Sequence, residues 1–164
     1  MFSPQLILSP IDFSDFSLNA LDVAKDIASR YGSEILLINV VPAIPKLPDD
    51  VSIFSEGAYD YELIEDAKQR LDDLADKLRG TGVRSRSTVV LANDAAVEII
   101  RTAEREKADL ILIATHGLTG WRRLAFGSVT EKVVRTADCP VLVLRSGAAA
   151  ESAERHAKSA TAPV

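Results

Sequence analysis

At 164 residues the chain is long enough for one domain with a full hydrophobic core and too short for two comfortable ones. Apolar residues make up 47% and charged residues 26%, the mixture of a globular protein rather than a disordered or fibrous one. The net charge of −5, with no Lys/Arg stripe, argues against nucleic acid and against an anionic membrane surface as partners.

In chain order, Gln5 to Ser9 is a short β-rich run. A helical pattern follows in which Ala20, Leu21, Ala24, Ile27, Ala28 and Tyr31 share one face, and Gly32 stands where a helix end wants a left-handed residue. Glu34 to Val41 is a near-continuous apolar run, as in a parallel strand covered on both sides. Pro42 to Gly57 holds three prolines and reads as a surface loop. Next comes the clearest helix, with Leu63, Ile64, Ala67, Leu71, Leu74, Ala75 and Leu78 at i, i+3/i+4 spacing and Gly80 and Gly82 ending it. Val83 to Leu91 is a strand, Asp94 to Glu106 a helix, and Asp109 to Thr115 another strand. After a glycine-rich turn come a helix from about Ser128 to Ala137 and a last strand, Pro140 to Arg145.

Strand and helix alternate throughout, which implies an α/β fold with a parallel sheet and right-handed crossovers. The segment 146–164 is Ala/Ser-rich without hydrophobic period, and is expected to be a disordered tail behind a domain spanning 1–145.

Cys139 is the single cysteine, so no intramolecular disulfide is possible, and with two histidines it makes a poor zinc set. No metal site of the protein's own is expected. Met1 to Pro10 lacks the pattern of a signal peptide, and runs such as Leu110 to Ala114 are far too short to span a membrane. The expected compartment is the cytoplasm.

Ligands of open parallel sheets bind beyond the carboxyl ends of the strands. The informative exit follows the fourth strand, where Ala114, Thr115, His116, Gly117 and Gly120 lead into Gly127, Ser128, Val129 and Thr130. A glycine turn feeding a helix start offers unpaired N–H groups at the positive end of the dipole, a ready phosphate site. Hydroxyls of Ser128 and Thr130 can add donors. Ser128 to Glu131 equally fits a capping box; beside a phosphate, the charge of Glu131 would need Arg122, Arg123 or Lys132 to offset it. No GxxxxGK[ST] or GxGxxG occurs, which excludes a P-loop and a dehydrogenase-type dinucleotide site. Asp12, after the first strand, is either a ligand contact or a cap for the next helix. His116 has no nucleophile or carboxylate beside it in sequence, so no catalytic residue is assigned.

The spacing resembles the G-2X-G-9X-G(S/T) motif of the universal stress protein family. It runs Ala114, Gly117, nine residues Leu118 to Phe126, then Gly127-Ser128, with alanine at the first glycine. Pro10-Ile11-Asp12-Phe13-Ser14 is similar to that family's opening P-x-D-x-S, and the stretch from Gly127 to Arg145 to its closing helix and dimer strand. The resemblance covers about residues 4 to 145.

That resemblance implies an ATP-binding subclass, with Mg2+ accompanying the nucleotide. Asp12, beside Pro10, would hold the ribose hydroxyls or the adenine edge, and the Val40 backbone would read the ring. Gly117 and Gly127 would admit the phosphates, with Ser128, Val129 and Thr130 donating to them. Ala114, His116 and Gly120 complete the expected cofactor-binding set. The expected architecture is an open five-stranded sheet, order 3-2-1-4-5, with two helices on each face, Rossmann-like and akin to the adenine-nucleotide alpha hydrolases. An apolar edge at Pro140 to Arg145 invites pairing, and the resemblance supplies a second copy, making a homodimer. The expected role is a regulatory module in stress response, with an unidentified protein partner. The alternatives are a nucleotide-free dimeric interaction module and a slow ATPase.

Overall fold

Where apolar strand-length runs alternate with amphipathic stretches, the chain alternates strand and helix. The computed structural model describes residues 2–43, 56–115 and 127–145. Along them run β1 (Leu6–Pro10), α1 (Asp15–Tyr31), β2 (Glu34–Val41), α2 (Glu56–Gly80), β3 (Arg84–Leu91), α3 (Ala95–Glu106), β4 (Leu110–Ala114), α4 (Ser128–Thr136) and β5 (Val141–Leu144). The strands form one five-stranded sheet, β3-β2-β1-β4-β5, with every neighbouring pair parallel. The expected order holds. The last strand is one residue shorter at each end than the sequence pattern suggests. Most of the expected loop Pro42 to Gly57, and the tail 146–164, lie outside the described residues; α2 already begins at Glu56.

Local chemistry sets the helix ends. Ser14 caps α1 by accepting the Ser17 N–H, at 3.2 Å, and such a cap contributes about 1 kcal/mol. Gly32 closes the helix at φ 70°, where a Cβ would be strained, and its N–H donates to the Ala28 carbonyl. Tyr31, expected on the buried face, is 46% exposed as the last helical residue before that turn.

Alternation along the strands divides the core in two. Ile7, Ile35, Leu37, Leu112 and Ala114 pack with Leu21, Ala24 and Ala28 of α1 and Leu71, Ala75 and Leu78 of α2. Leu8, Leu36, Ile38, Ile111 and Ile113 pack with Ile99, Ile100 and Ala103 of α3 and Val133 of α4. Each face of the sheet thus carries two helices.

Candidate functional site

β1 has β2 on one side and β4 on the other, so the strand order reverses between β1 and β4. Crossovers leave in opposite directions there and open a crevice at the carboxyl ends. A cavity of about 450 Å³ occupies it. Pro10, Val40 and Ala114 line it from the ends of three strands, Ala95 and Ile99 from α3, and Gly127 to Thr130 from the start of α4.

The start of α4 is not the capping box that the sequence also allows. Gly127 is the N-cap and has no side chain to cap with, while Ser128 is the first helical residue and exposed. The Glu131 N–H donates to the Gly127 carbonyl at 2.9 Å, and the Gly127 N–H donates to the Thr115 carbonyl at 2.8 Å. Ser128, Val129 and Thr130 therefore present N–H groups with no intrahelical acceptor, at the positive end of the dipole. A Cβ at position 127 would stand 3.0 Å from the Thr115 oxygen. Glycine is favoured here by close approach and not by backbone conformation, since φ is an ordinary −59°.

Thr130 departs from the expectation for its side chain. It is buried, and its hydroxyl donates to the Ala114 carbonyl at 2.8 Å, fastening α4 to β4. Its hydroxyl hydrogen is thereby committed to the protein. Ala114, the residue that replaces a glycine of the motif, belongs to the cluster under α1 and α2 although it also lines the cavity.

The Asp12 loop forms another part of the wall. Asp12 Oδ1 accepts the Ser14 N–H at 3.0 Å and the Ser14 hydroxyl at 2.6 Å. Ser14, not Asp12, caps α1, and Asp12 braces the cap from outside. Ile11 ties the loop to β2: its N–H donates to the Ile38 carbonyl at 2.8 Å, and its carbonyl accepts Asn39 Nδ2 at 2.7 Å. The intervening Phe13 has φ 63°, in the left-handed region.

Ion pairs stand at the starts of α3 and α4. Lys132 Nζ donates to Asp94 Oδ2 at 2.5 Å, linking α4 to the N-cap of α3. That hydrogen bond, with a second from the Val97 N–H, holds the Asp94 carboxyl below the usual carboxylate range. Glu131 pairs with Arg135, one turn along, at 2.6 Å, while Lys132 turns to Asp94; Arg122 and Arg123 lie outside the described residues. The ion pair follows helical geometry, since i and i+4 are neighbours.

Of the residues expected at the site, Pro10, Asp12, Val40, Ala114, Gly127, Ser128, Val129 and Thr130 surround this one cavity. His116, Gly117 and Gly120, with Arg122 and Arg123, lie outside the described residues. Sequence reasoning missed Ile38, Ala95, Ile99 and Ile113, which also line it, as does Thr115 of the expected exit. The strand-end residues follow from asking which face α3 and α4 cover; Ala95 and Ile99 follow only from how α3 packs. Among the described residues no group of three or more His, Cys, Asp or Glu side chains is placed to hold a metal, and no helix is long and apolar enough to cross a membrane. Cys139 lies away from the cavity, and burial pushes its thiol above the ordinary value.

A parallel α/β sheet wound in both directions from β1, with its cavity at the reversal point, defines a Rossmann-like fold. The chain matches the universal stress protein family over residues 5–145 and belongs to that family. It is 37% identical to a universal stress protein of Methanocaldococcus jannaschii over 142 residues, covering 85% of this chain and 81% of that one. The solved structure of a second universal stress protein from that organism is similar at a TM-score of 0.77 and 27% identity, over 90% of this chain and 99% of that one. A universal stress protein from Archaeoglobus fulgidus, solved in complex with dAMP, shares the fold at a TM-score of 0.60 and 20% identity, over 87% of this chain and 98% of that one.

Proposed function

We propose that this universal stress protein binds ATP in the cavity between β1 and β4 and acts as a dimeric, cytoplasmic regulatory module. The observation that carries the reading is the α4 terminus, whose uncapped N–H groups open on the same cavity as Asp12 and Val40. A volume of about 450 Å³ suits a small organic ligand. Apolar walls from Ile38, Val40, Ile99 and Ile113 suit a purine, and the α4 N–H groups suit phosphate. The dAMP complex of the Archaeoglobus fulgidus relative supports an adenine nucleotide of some kind.

In this reading Asp12 orients the ribose or the adenine edge, and the Val40 backbone meets the ring. Ser128, Val129 and Thr130 donate backbone N–H groups, and Ser128 its hydroxyl, to phosphate oxygens; His116, Gly117 and Gly120 complete the phosphate loop. Mg2+ accompanies the nucleotide. No residue is assigned to hydrolysis, and the role is binding rather than turnover.

The test is direct. The purified protein is denatured and the released small molecules are separated with detection at 260 nm; MgATP is added to a nucleotide-free sample in parallel. Adenine nucleotide in the first, or a raised melting temperature in the second, is expected from ligand linkage. An empty fraction together with no shift at millimolar MgATP refutes ATP binding and leaves the nucleotide-free interaction module. Phosphate release measured on the same sample tests the slow ATPase.

The dimer reading rests on β5. This edge strand carries Leu142 at 37% exposure, an apolar edge that a second copy would cover by antiparallel pairing. Leu142→Asp should give a monomer by light scattering; an unchanged mass refutes that interface.

A further inference from the structure

Two non-glycine residues among those described have φ in the left-handed region, and they differ in kind. Lys107, at φ 56°, ends α3 as an ordinary left-handed C-cap. Phe13, at φ 63°, sits between the cavity-lining Asp12 and the cap residue Ser14. A bulky aromatic residue adopts that conformation only where its surroundings over-determine it.

The surroundings do so from two sides. On the backbone side, Asp12 Oδ1 takes both the N–H and the hydroxyl of Ser14, and Ser14 in turn takes the Ser17 N–H. On the side-chain side, the Phe13 ring packs against the core beneath α1 and α2, and the Arg70 guanidinium of α2 lies 3.9 Å above its centroid. Asp12 lines the cavity while the next side chain is held on the α2 face of the sheet. A left-handed residue is what turns the chain between those two directions.

We propose that Phe13 and Arg70 are positioning residues: the ring, clamped under the guanidinium of α2, holds the strained turn that aims Asp12 into the cavity. The consequence for ligand affinity rests on the nucleotide reading above; the coupling of α2 to the loop does not. Linkage makes the coupling reciprocal, so a ligand that fixes Asp12 also steadies α2 about Arg70.

The experiment measures amide hydrogen exchange, residue by residue by NMR, together with MgATP affinity, on the full chain. Arg70→Met keeps the stem of an exposed helical residue and removes the cation. It should speed exchange at Ser14 and Ser17 by about fivefold without changing the α4 amides, as loss of a cation–π contact of ordinary strength allows. Arg70→Lys, which restores a cation, should recover most of the protection. Asp66→Asn, which breaks only the Arg70–Asp66 pair at 3.6 Å, should leave Ser14 and Ser17 unchanged. With MgATP, Arg70→Met should bind about fivefold more weakly. Bound MgATP should slow exchange near Arg70 in the wild type and not in Arg70→Met, a readout that a merely structural role would not move. Phe13→Leu should behave as Arg70→Met and Phe13→Trp as the wild type. Unchanged exchange at Ser14 and Ser17 in Arg70→Met overturns the proposal. Faster exchange there, with no MgATP binding by any form including the wild type, upholds the coupling and overturns the ATP reading instead.

Discussion

Gly127→Val tests the geometry of the α4 start. The position has φ −59° and ψ 150°, which valine tolerates, so backbone strain is not the cause of any effect. The cause is contact. A Cβ at 3.0 Å from the Thr115 oxygen is a tight contact that needs a shift of a few tenths of an ångström, and the two γ-carbons add bulk beside it. Relief requires the turn to widen, which stretches the 2.8 Å hydrogen bond from the Gly127 N–H to that same oxygen. Overpacking costs about 1–3 kcal/mol and a weakened hydrogen bond about 1 kcal/mol, so a loss near 2–4 kcal/mol is expected in urea denaturation. Gly127→Ala, with the Cβ alone, should fall between. If ATP lies on the α4 terminus, losing alignment with one phosphate costs about 1.5–3 kcal/mol, or roughly ten- to a hundredfold in affinity by calorimetry. The dimer should persist, because the edge of β5 that would pair is the one turned away from β4. A valine variant that unfolds with the wild type and binds MgATP equally well would refute this account.

Three further outcomes follow from the same structure. The Ser9 hydroxyl is fully buried in β1 and has no hydrogen-bond partner among the described residues. Ser9→Ala should therefore be neutral or stabilising by about 1 kcal/mol in urea denaturation, whereas a comparable loss would mean that the hydroxyl is satisfied. Ala114→Gly removes a methyl from the α1/α2 cluster, so it should cost about 1 kcal/mol of stability and change MgATP affinity less than about threefold; a larger gain in affinity would mean that the methyl obstructs the ligand. The Asp94 carboxyl is held below its usual range by Lys132. A depressed carboxylate stabilises the fold above its unfolded value of about 3.9 and loses that contribution as pH falls through the lower folded value. The melting-temperature gap between wild type and Lys132→Met should accordingly be present at neutral pH and close in acid, and a gap that widens in acid would refute the assignment.

Much of this molecule is decided by local rules that can be applied without coordinates. The left-handed Gly32, the β2 run and the buried face of α2 each depend on residues within a few positions, so period and propensity suffice. The strand order and the spacing from Ala114 to Gly127 were also legible, through family resemblance rather than physics. Tertiary structure decided what depends on distant partners. Ala95 and Ile99 enter the cavity wall because α3 packs on the same face as α4. Gly127 rather than Ser128 becomes the N-cap because its N–H is drawn to the Thr115 carbonyl at the end of β4. The Thr130 hydroxyl turns to Ala114, Lys132 finds Asp94 across 38 positions of sequence, and Phe13 takes a conformation that its own propensity disfavours. In each case a contact far away in sequence outweighs a local preference of about 1 kcal/mol, a balance that local sequence rules cannot weigh.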